Sequence, residues 1–534
     1  MNGALVLLLH AHLPFVRHPE HEYCIEENWL FEAIRETYVP MLDMLERMVN
    51  DGISPQLTFS ISPTLAEMLN DGLLRKRFVR HMENLIALSE AEVVRTGSSL
   101  FGPTAELYNK HFKAVLSLYT GCYGCDLVAA FRQLQDEGHI EIVATAATHA
   151  FLPAFEAYPD IVRDQIGIGI KSYIKNFGRD PSGFWLPECG YFKGVDFFLK
   201  DAGIRYFFLE SHGILLGDPR PEHSIFRPVS APSGLQVFGR DFKSAGQVWS
   251  ATEGYPGDPY YRDFYRDIGF DLPAGYLDQF LHSGELKLFT GMKYYRVTGA
   301  TDAKLPYDRV IAMQRAIEHA AHFRESMESQ VQRLCGHGFS PVIFSAFDAE
   351  LFGHWWFEGI CWLDITVRKL FDSRTVRLAT PGECNAAYSA GNNIVLHPSS
   401  WGEGGYNAVW IGERNHYLYR HLHSMSGRLA RLKEKGQSVG RRATLMQRIF
   451  NQAAKEMLLA QSSDWPFLIE KDRASEYAER RVCSHIHNFN RLLSMAEGAD
   501  NDMAMLRELE DRNNLFAWLS PNGLTKAASR RGTP

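Results

Sequence analysis

Short, continuous apolar runs recur along the first four hundred residues, and helix-like stretches separate them. The runs are Ala4–Leu9, Gln56–Ile61, Glu141–Thr145, Gly183–Pro187, Ile204–Leu209, Leu286–Thr290, Pro341–Ser345 and Asn393–Leu396. Helical periodicity fills the gaps, as in Phe78–Leu88 and Tyr307–Met327. Strands buried on one face only would alternate apolar and polar residues. These do not, so both faces are expected to be covered, the mark of a parallel sheet wrapped by helices. The expected class is α/β, with the sheet closed into a barrel or doubly wound.

The ends of these runs carry the chemistry. His10 and His12 follow the first, His149 follows Glu141–Thr145, Glu188 ends Phe184-Trp185-Leu186-Pro187, and Asp348 ends Val342–Phe347. In a parallel barrel all five residues fall at the C-terminal mouth, where active sites of such barrels sit. A carboxylate at the end of a buried strand is costly unless it is paired or at work. Two that face each other across a cleft are the minimal machinery for breaking a glycosidic bond. The plainer alternative is two unrelated ion pairs. His10 and His12 share one face of a strand. With His149 they are candidate metal ligands, hydrogen-bonding partners for sugar hydroxyls, or satisfied core histidines.

Composition narrows the classes. The chain has 534 residues and a formal net charge of -7, with no long basic run, so nucleic acid is not an expected partner. The apolar N-terminal run is too short for a membrane span and lacks a basic leader, so neither membrane nor export is expected. Eight scattered cysteines suit free thiols in the cytoplasm, and the single Cys122-Tyr123-Gly124-Cys125 has no second pair to complete a zinc site. Aromatic residues make up 12% of the chain, which suits both a sugar-stacking surface and a large core.

Two regions break the alternation. Residues 66–135 read as a helical excursion, and residues 211–285 as a long, ordered, aromatic-rich functional loop. Beyond about residue 400 the pattern is helical in Gly412–Lys435, Arg441–Ser462 and Ala474–Glu497, with Leu445, Ile449, Ala453 and Met457 on one face. The final Lys526–Pro534 is expected to be frayed. There is no internal repeat.

Taken together, His10-Ala11-His12-Leu13-Pro14, Ala147-Thr148-His149, Trp185-Leu186-Pro187-Glu188, Phe347-Asp348-Ala349-Glu350-Leu351-Phe352-Gly353-His354-Trp355-Trp356 and Ser399–Tyr406 resemble the five motifs of glycoside hydrolase family 57. Ser462-Ser463-Asp464-Trp465-Pro466-Phe467 resembles its branching-enzyme subgroup. The resemblance covers nearly the whole chain in order. It implies an incomplete (β/α)7 barrel over residues 1–398 with a helical insertion at roughly 66–135. A C-terminal α-helical domain over 399–525 would help close the cleft, and 526–534 would be a disordered tail.

The resemblance further implies retaining chemistry on an α-1,4-glucan with no metal or cofactor. Glu188 would be the nucleophile and Asp348 the general acid/base. His10, His12, His149, Trp355, Trp401, Trp410, Asp464 and Trp465 would bind substrate. The activity so implied is 1,4-α-glucan branching. The nearest alternative is 4-α-glucanotransferase or α-amylase, followed by a metal-dependent sugar deacetylase and a non-catalytic glucan-binding protein. One feature departs from the pattern. Branching members carry a tyrosine on a mobile loop over the cleft, but no tyrosine lies between Tyr206 and Tyr255, and His223 or Phe226 is the expected stand-in. Oligomeric state is left open.

Overall fold

The computed structural model describes residues 2–250, 254–281, 284, 286–388, 392–435 and 441–520. The expected tail at 526–534 and the end of the expected 399–525 domain lie outside the described residues. Among the described residues nine strands form one sheet: β1 (Gly3–Ala11), β2 (Leu57–Ile61), β3 (Ile140–Thr145), β4 (Gly183–Trp185), β5 (Tyr206–Leu209), β6 (Val229–Ser230), β7 (Gln236–Gly239), β8 (Val342–Asp348) and β9 (Val376–Leu378). The order is β6-β7-β5-β4-β3-β2-β1-β8, with β9 paired to the start of β1. The path β7-β5-β4-β3-β2-β1-β8 is parallel throughout. It therefore holds the seven strands of an incomplete barrel. One isolated bridge, Arg240 to Phe344, joins its two ends.

Two expected strands are not strands. At the end of 286–290 the backbone turns to a side chain: Asp267 accepts the N–H groups of Thr290 and of Gly291 just beyond. The carbonyl of Leu288 also lies against Gly269, where a Cβ would come within 1.7 Å of that oxygen. Residues 393–396 make only isolated bridges, Asn393 to Ser230 and Val395 to Asp218. The strands missing from the expectation are β6, β7 and β9, the first two inside the region read as a loop. The described residues of that region, 211–285, include short helices and strands.

Side-chain parity along the strands sets up the mouth. Ala4, Val6 and Leu8 of β1, Trp185 of β4, Tyr206 and Phe208 of β5, Phe238 of β7 and Val342, Phe344 and Ala346 of β8 form a packed cluster inside the barrel. Leu5, Leu7 and Leu9 point outward into the larger core under the helices. One further inward step along each strand reaches His10, Glu210, Arg240 and Asp348, so a packed apolar plug ends in a charged layer.

Four helices lie between β2 and β3: Pro63–Leu69, Gly72–Thr96, Gly102–Ser117 and Leu127–Asp136. From Tyr419 onward the described chain is mainly helical: Tyr419–Lys435, Arg441–Ala460, Asp464–Glu470, Ser475–Ala496 and Met503–Arg512. The turn at 461–463 reaches back to the barrel, with Ser463 N–H donating to the His149 carbonyl at 3.0 Å. Among the described residues no single helix is long and apolar enough to cross a membrane.

Candidate active site

Neighbouring strands put the first two groups together. His10 and Asp348 are register partners at the C-terminal ends of β1 and β8. Glu188 arrives from the end of β4 with left-handed backbone at φ 60°, as do Cys189 at 51° and His149 at 56°. Such backbone costs a non-glycine residue about 1–2 kcal/mol. Three cases at one mouth show that the fold aims these side chains against local preference, as functional sites often do.

Glu188 is clamped from two sides. Trp401 donates its indole N–H to Oε2 at 2.8 Å, and Ser463 donates its hydroxyl to Oε1 at 2.8 Å. A serine hydroxyl has one proton, so an Oγ that donates to Glu188 must accept from His149 Nδ1, at 2.9 Å. Nε2 of His149 then carries the lone pair and accepts from His10 Nε2 at 2.9 Å. Donation runs from His10 through His149 and Ser463 to the accepting Glu188 carboxylate. Both histidines suit neutrality: burial first, then the charge of His12, lowers their pKa values well below the ordinary range.

His12 takes the opposite state. Burial opposes its charge, but Asp464 above all, with Glu188 and Glu350, raises its pKa. It meets Asp464 Oδ2 at 3.0 Å and Ser62 Oγ at 2.8 Å. Its ring stacks 3.8 Å from that of His149. Asp464 is held below its ordinary range against burial by His12 and by Ser462.

The carboxylic acids are pushed the other way. Burial raises Glu188 to about 7, with the Trp401 and Ser463 bonds limiting the rise. Burial raises Asp348 to about 6 against Arg240 and then His12. Glu350 is raised to about 8 by burial and by Asp348. It accepts the Tyr38 hydroxyl and, at 3.2 Å, the backbone N–H of His12. Tyr38 closes a π-turn at Ile34–Tyr38, a local defect of the kind often found at functional sites. Paired acids with displaced pKa values, one of which can hold a proton near neutrality, are what acid–base cleavage of an acetal requires.

The candidate residues sort into three groups. Glu188, Asp348, His10, His12, His149, Trp401 and Asp464 belong to this one cluster. His10 and His149 are 2% and 1% exposed, so they stand behind the carboxylate and do not open onto the cleft. Trp410 and Trp465 are corrections to the expected lining. Trp410 is 1% exposed with its ring stacked 4.6 Å from Phe151, and Trp465 is fully buried and donates to the Leu459 carbonyl. Buried rings have no free surface to offer a sugar: Trp410 packs instead against Phe151 of the barrel, and Trp465 against Tyr477 within the helical region. Trp355 is apart from the cluster, 45% exposed and stacked 4.3 Å from Phe264, with its backbone N–H donating to the Glu350 carbonyl.

His223 and Phe226 are not cleft residues either. His223 stacks on Phe339, and the Phe226 carbonyl accepts from Val342, at the opposite end of β8 from Asp348. The segment runs down the outside of the barrel and cannot stand in for a cleft tyrosine. Ser62, Ser463, Tyr38, Glu210, Arg240 and Glu350 were missed as site residues. Glu210 carried a signal, a charge one step past an expected buried strand, and Glu350 and Ser463 lay inside the resembling motifs. No group of three or more His, Cys, Asp or Glu suited to a metal ion occurs among the described residues.

Comparison with known proteins gives the same placement over the whole chain. Residues 6–395 match the family model of glycosyl hydrolase family 57. Residues 421–522 match the C-terminal model of 1,4-alpha-glucan branching enzymes. A 1,4-alpha-glucan branching enzyme of Thermococcus kodakarensis is 33% identical over 97% of this chain and 78% of its own length. The crystal structure of the alpha-amylase AmyC of Thermotoga maritima superposes with a TM-score of 0.91 at 40% identity, covering 98% of this chain and 99% of that one. That of the branching enzyme of Pyrococcus horikoshii gives 0.88 at 32%, covering 100% and 98%.

Proposed function

The chain belongs to glycosyl hydrolase family 57, and on that premise we propose that it is a 1,4-α-glucan branching enzyme. In this reading Asp348 gives its proton to the glycosidic oxygen while a Glu188 oxygen attacks C1, and the bond from C1 to the leaving chain breaks. A glucan 6-hydroxyl then attacks C1, returns its proton to Asp348 and frees Glu188, leaving an α-1,6 branch. Two displacements at one carbon retain its configuration. Water in place of the 6-hydroxyl gives hydrolysis by the same steps.

The observation that carries the reading is the branching-type C-terminal match over 421–522. Within it, Ser463 donates to Glu188 and Asp464 pairs with His12. The segment that marks the subgroup is therefore part of the machinery around the nucleophile. One observation favours a second reading, α-amylase: the likeness to the Thermotoga maritima enzyme. The eight cysteines are unpaired in the fold, which suits a reducing compartment, so a cytoplasmic location is part of the proposal.

The test is incubation with amylose, followed by proton NMR of the anomeric region and a reducing-end assay. Branching predicts α-1,6 signals growing faster than reducing ends. Reducing ends without α-1,6 signals would make the enzyme an amylase.

A further inference from the structure

Arg240 stands one step past β7 and with Phe344 forms the one bridge between the two ends of the sheet among the described residues. Asp241 N–H donates to the Phe344 carbonyl across that seam at 2.7 Å, and the hydroxyls of Ser244 and Ser345 meet there. Further up, the seam has no ladder, and the Arg240 side chain takes its place: Nε donates to the Ala346 carbonyl at 3.1 Å. Ala346 precedes Asp348 by two residues on the same strand. The guanidinium also donates through Nη1 to Glu210 Oε2 at 3.0 Å. Its carbon lies 5.4 Å from the centre of the Trp401 ring, within cation–π range. That same ring donates to the nucleophile position. Only a planar fork with several fixed donors can bond a carbonyl, pair with a carboxylate and lie over an indole at once, so lysine is no equivalent here.

We propose that Arg240, fixed by Glu210, is a positioning residue that serves both carboxylates, stapling the open barrel seam beneath Asp348 and holding the Trp401 indole against Glu188. Seven strands leave the barrel unclosed where Asp348 stands, and one guanidinium spans that opening. The inference rests on the assignment of Glu188 and Asp348 under the proposed function. It touches neither substrate nor reacting atoms.

The test uses the full-length enzyme and loss of iodine staining of amylose, which both branching and hydrolysis produce. The charged and titratable groups facing Asp348 are Arg240, His12, Glu350 and Tyr38, with His10 its register partner on β1; Glu210 and the buried Cys189 thiol complete the surroundings. Arg240→Met is expected to lower kcat about tenfold or more with KM little changed. It should also move the limb of the pH profile that belongs to Asp348 upward by roughly one unit, because a cation that favours its carboxylate is gone. Arg240→Lys keeps the charge and loses the fork, so it should lower kcat and leave that limb in place. Either loss should be less than additive with Trp401→Phe, since both act through one ring.

A folded Arg240→Met enzyme with wild-type kcat or an unmoved limb overturns the proposal. Full additivity with Trp401→Phe does so too. Should Arg240→Met not fold, Arg240→Lys decides: wild-type kcat overturns the proposal, and a tenfold loss supports it. Wild-type protein inactive on every α-glucan would instead defeat the proposed function.

Discussion

Ser463→Ala isolates one hydrogen bond at the nucleophile. The hydroxyl donates to Glu188 Oε1 at 2.8 Å, and the backbone N–H that ties this turn to His149 survives the change. A hydrogen bond to a charged acceptor contributes about 1.5–3 kcal/mol. At 1.36 kcal/mol per unit, losing a bond that favours the ionised form raises the Glu188 pKa by about 1–2 units. Glu188 and Asp348 start at about 7 and about 6, so near neutrality they share one proton, and the cleavage step needs it on Asp348. Each unit added to Glu188 draws that proton away and costs a factor of about ten in the productive arrangement. kcat/KM at the optimum should therefore fall by roughly 10–100-fold, and the alkaline limb should move up by about 1–2 units. The assay is kcat/KM on maltooligosaccharides from pH 5 to pH 9.5, with thermal melts to confirm the fold. Wild-type kcat/KM with unmoved limbs would refute the clamp on Glu188.

Glu188→Gln should abolish turnover with the fold intact, because an amide cannot form the glycosyl-enzyme; wild-type rates on amylose would exclude it. Asp348→Asn should be severe on amylose and milder on an aryl glucoside whose leaving group needs no proton, as paired rate measurements would reveal. Folded Glu350 holds its proton to about pH 8, whereas the unfolded chain releases it near 4.5. The stability it lends is therefore fully present below about 4.5 and lost as pH rises through about 8, on the order of a few kcal/mol. Glu350→Gln, which mimics the protonated acid, should show a smaller fall in Tm between pH 5 and pH 8 than the wild type, and an unchanged fall would count against a buried protonated Glu350. Chelator treatment should leave activity unchanged, with dialysis and metal analysis as the check.

How far the sequence revealed this molecule depended on which physical signal each part left. A strand buried on both faces advertises itself as an unbroken apolar run, so β1, β2 and β8 were legible. Strand β7 was not: Gln236-Val237-Phe238-Gly239 offers two apolar residues between a glutamine and a glycine, inside a Gly- and Pro-rich stretch. Leu286–Thr290 misled for the converse reason, since Thr290 at its end is held by the Asp267 carboxylate, a long-range bond that no local pattern records. The site follows the same division. Glu188 and Asp348 were conspicuous because a charge ending an apolar run is costly without a purpose. Glu210 and Arg240 obey that rule as strictly, yet Arg240 could be read only once β7 was known, because its meaning comes from the strand it follows. Ser62 and Tyr38 obey no rule visible in sequence, and Ser463 showed only as part of a resembling motif, with no role of its own. A hydroxyl in a chain of this size carries no pattern, and each gains its role only when a turn or helix from elsewhere sets it within 3 Å or so of a carboxylate or imidazole. Trp410 and Trp465 show the opposite error. Large aromatic rings near a site look like sugar platforms from sequence, but the same rings are what a core consumes to lock two layers together, and burial alone tells the two uses apart.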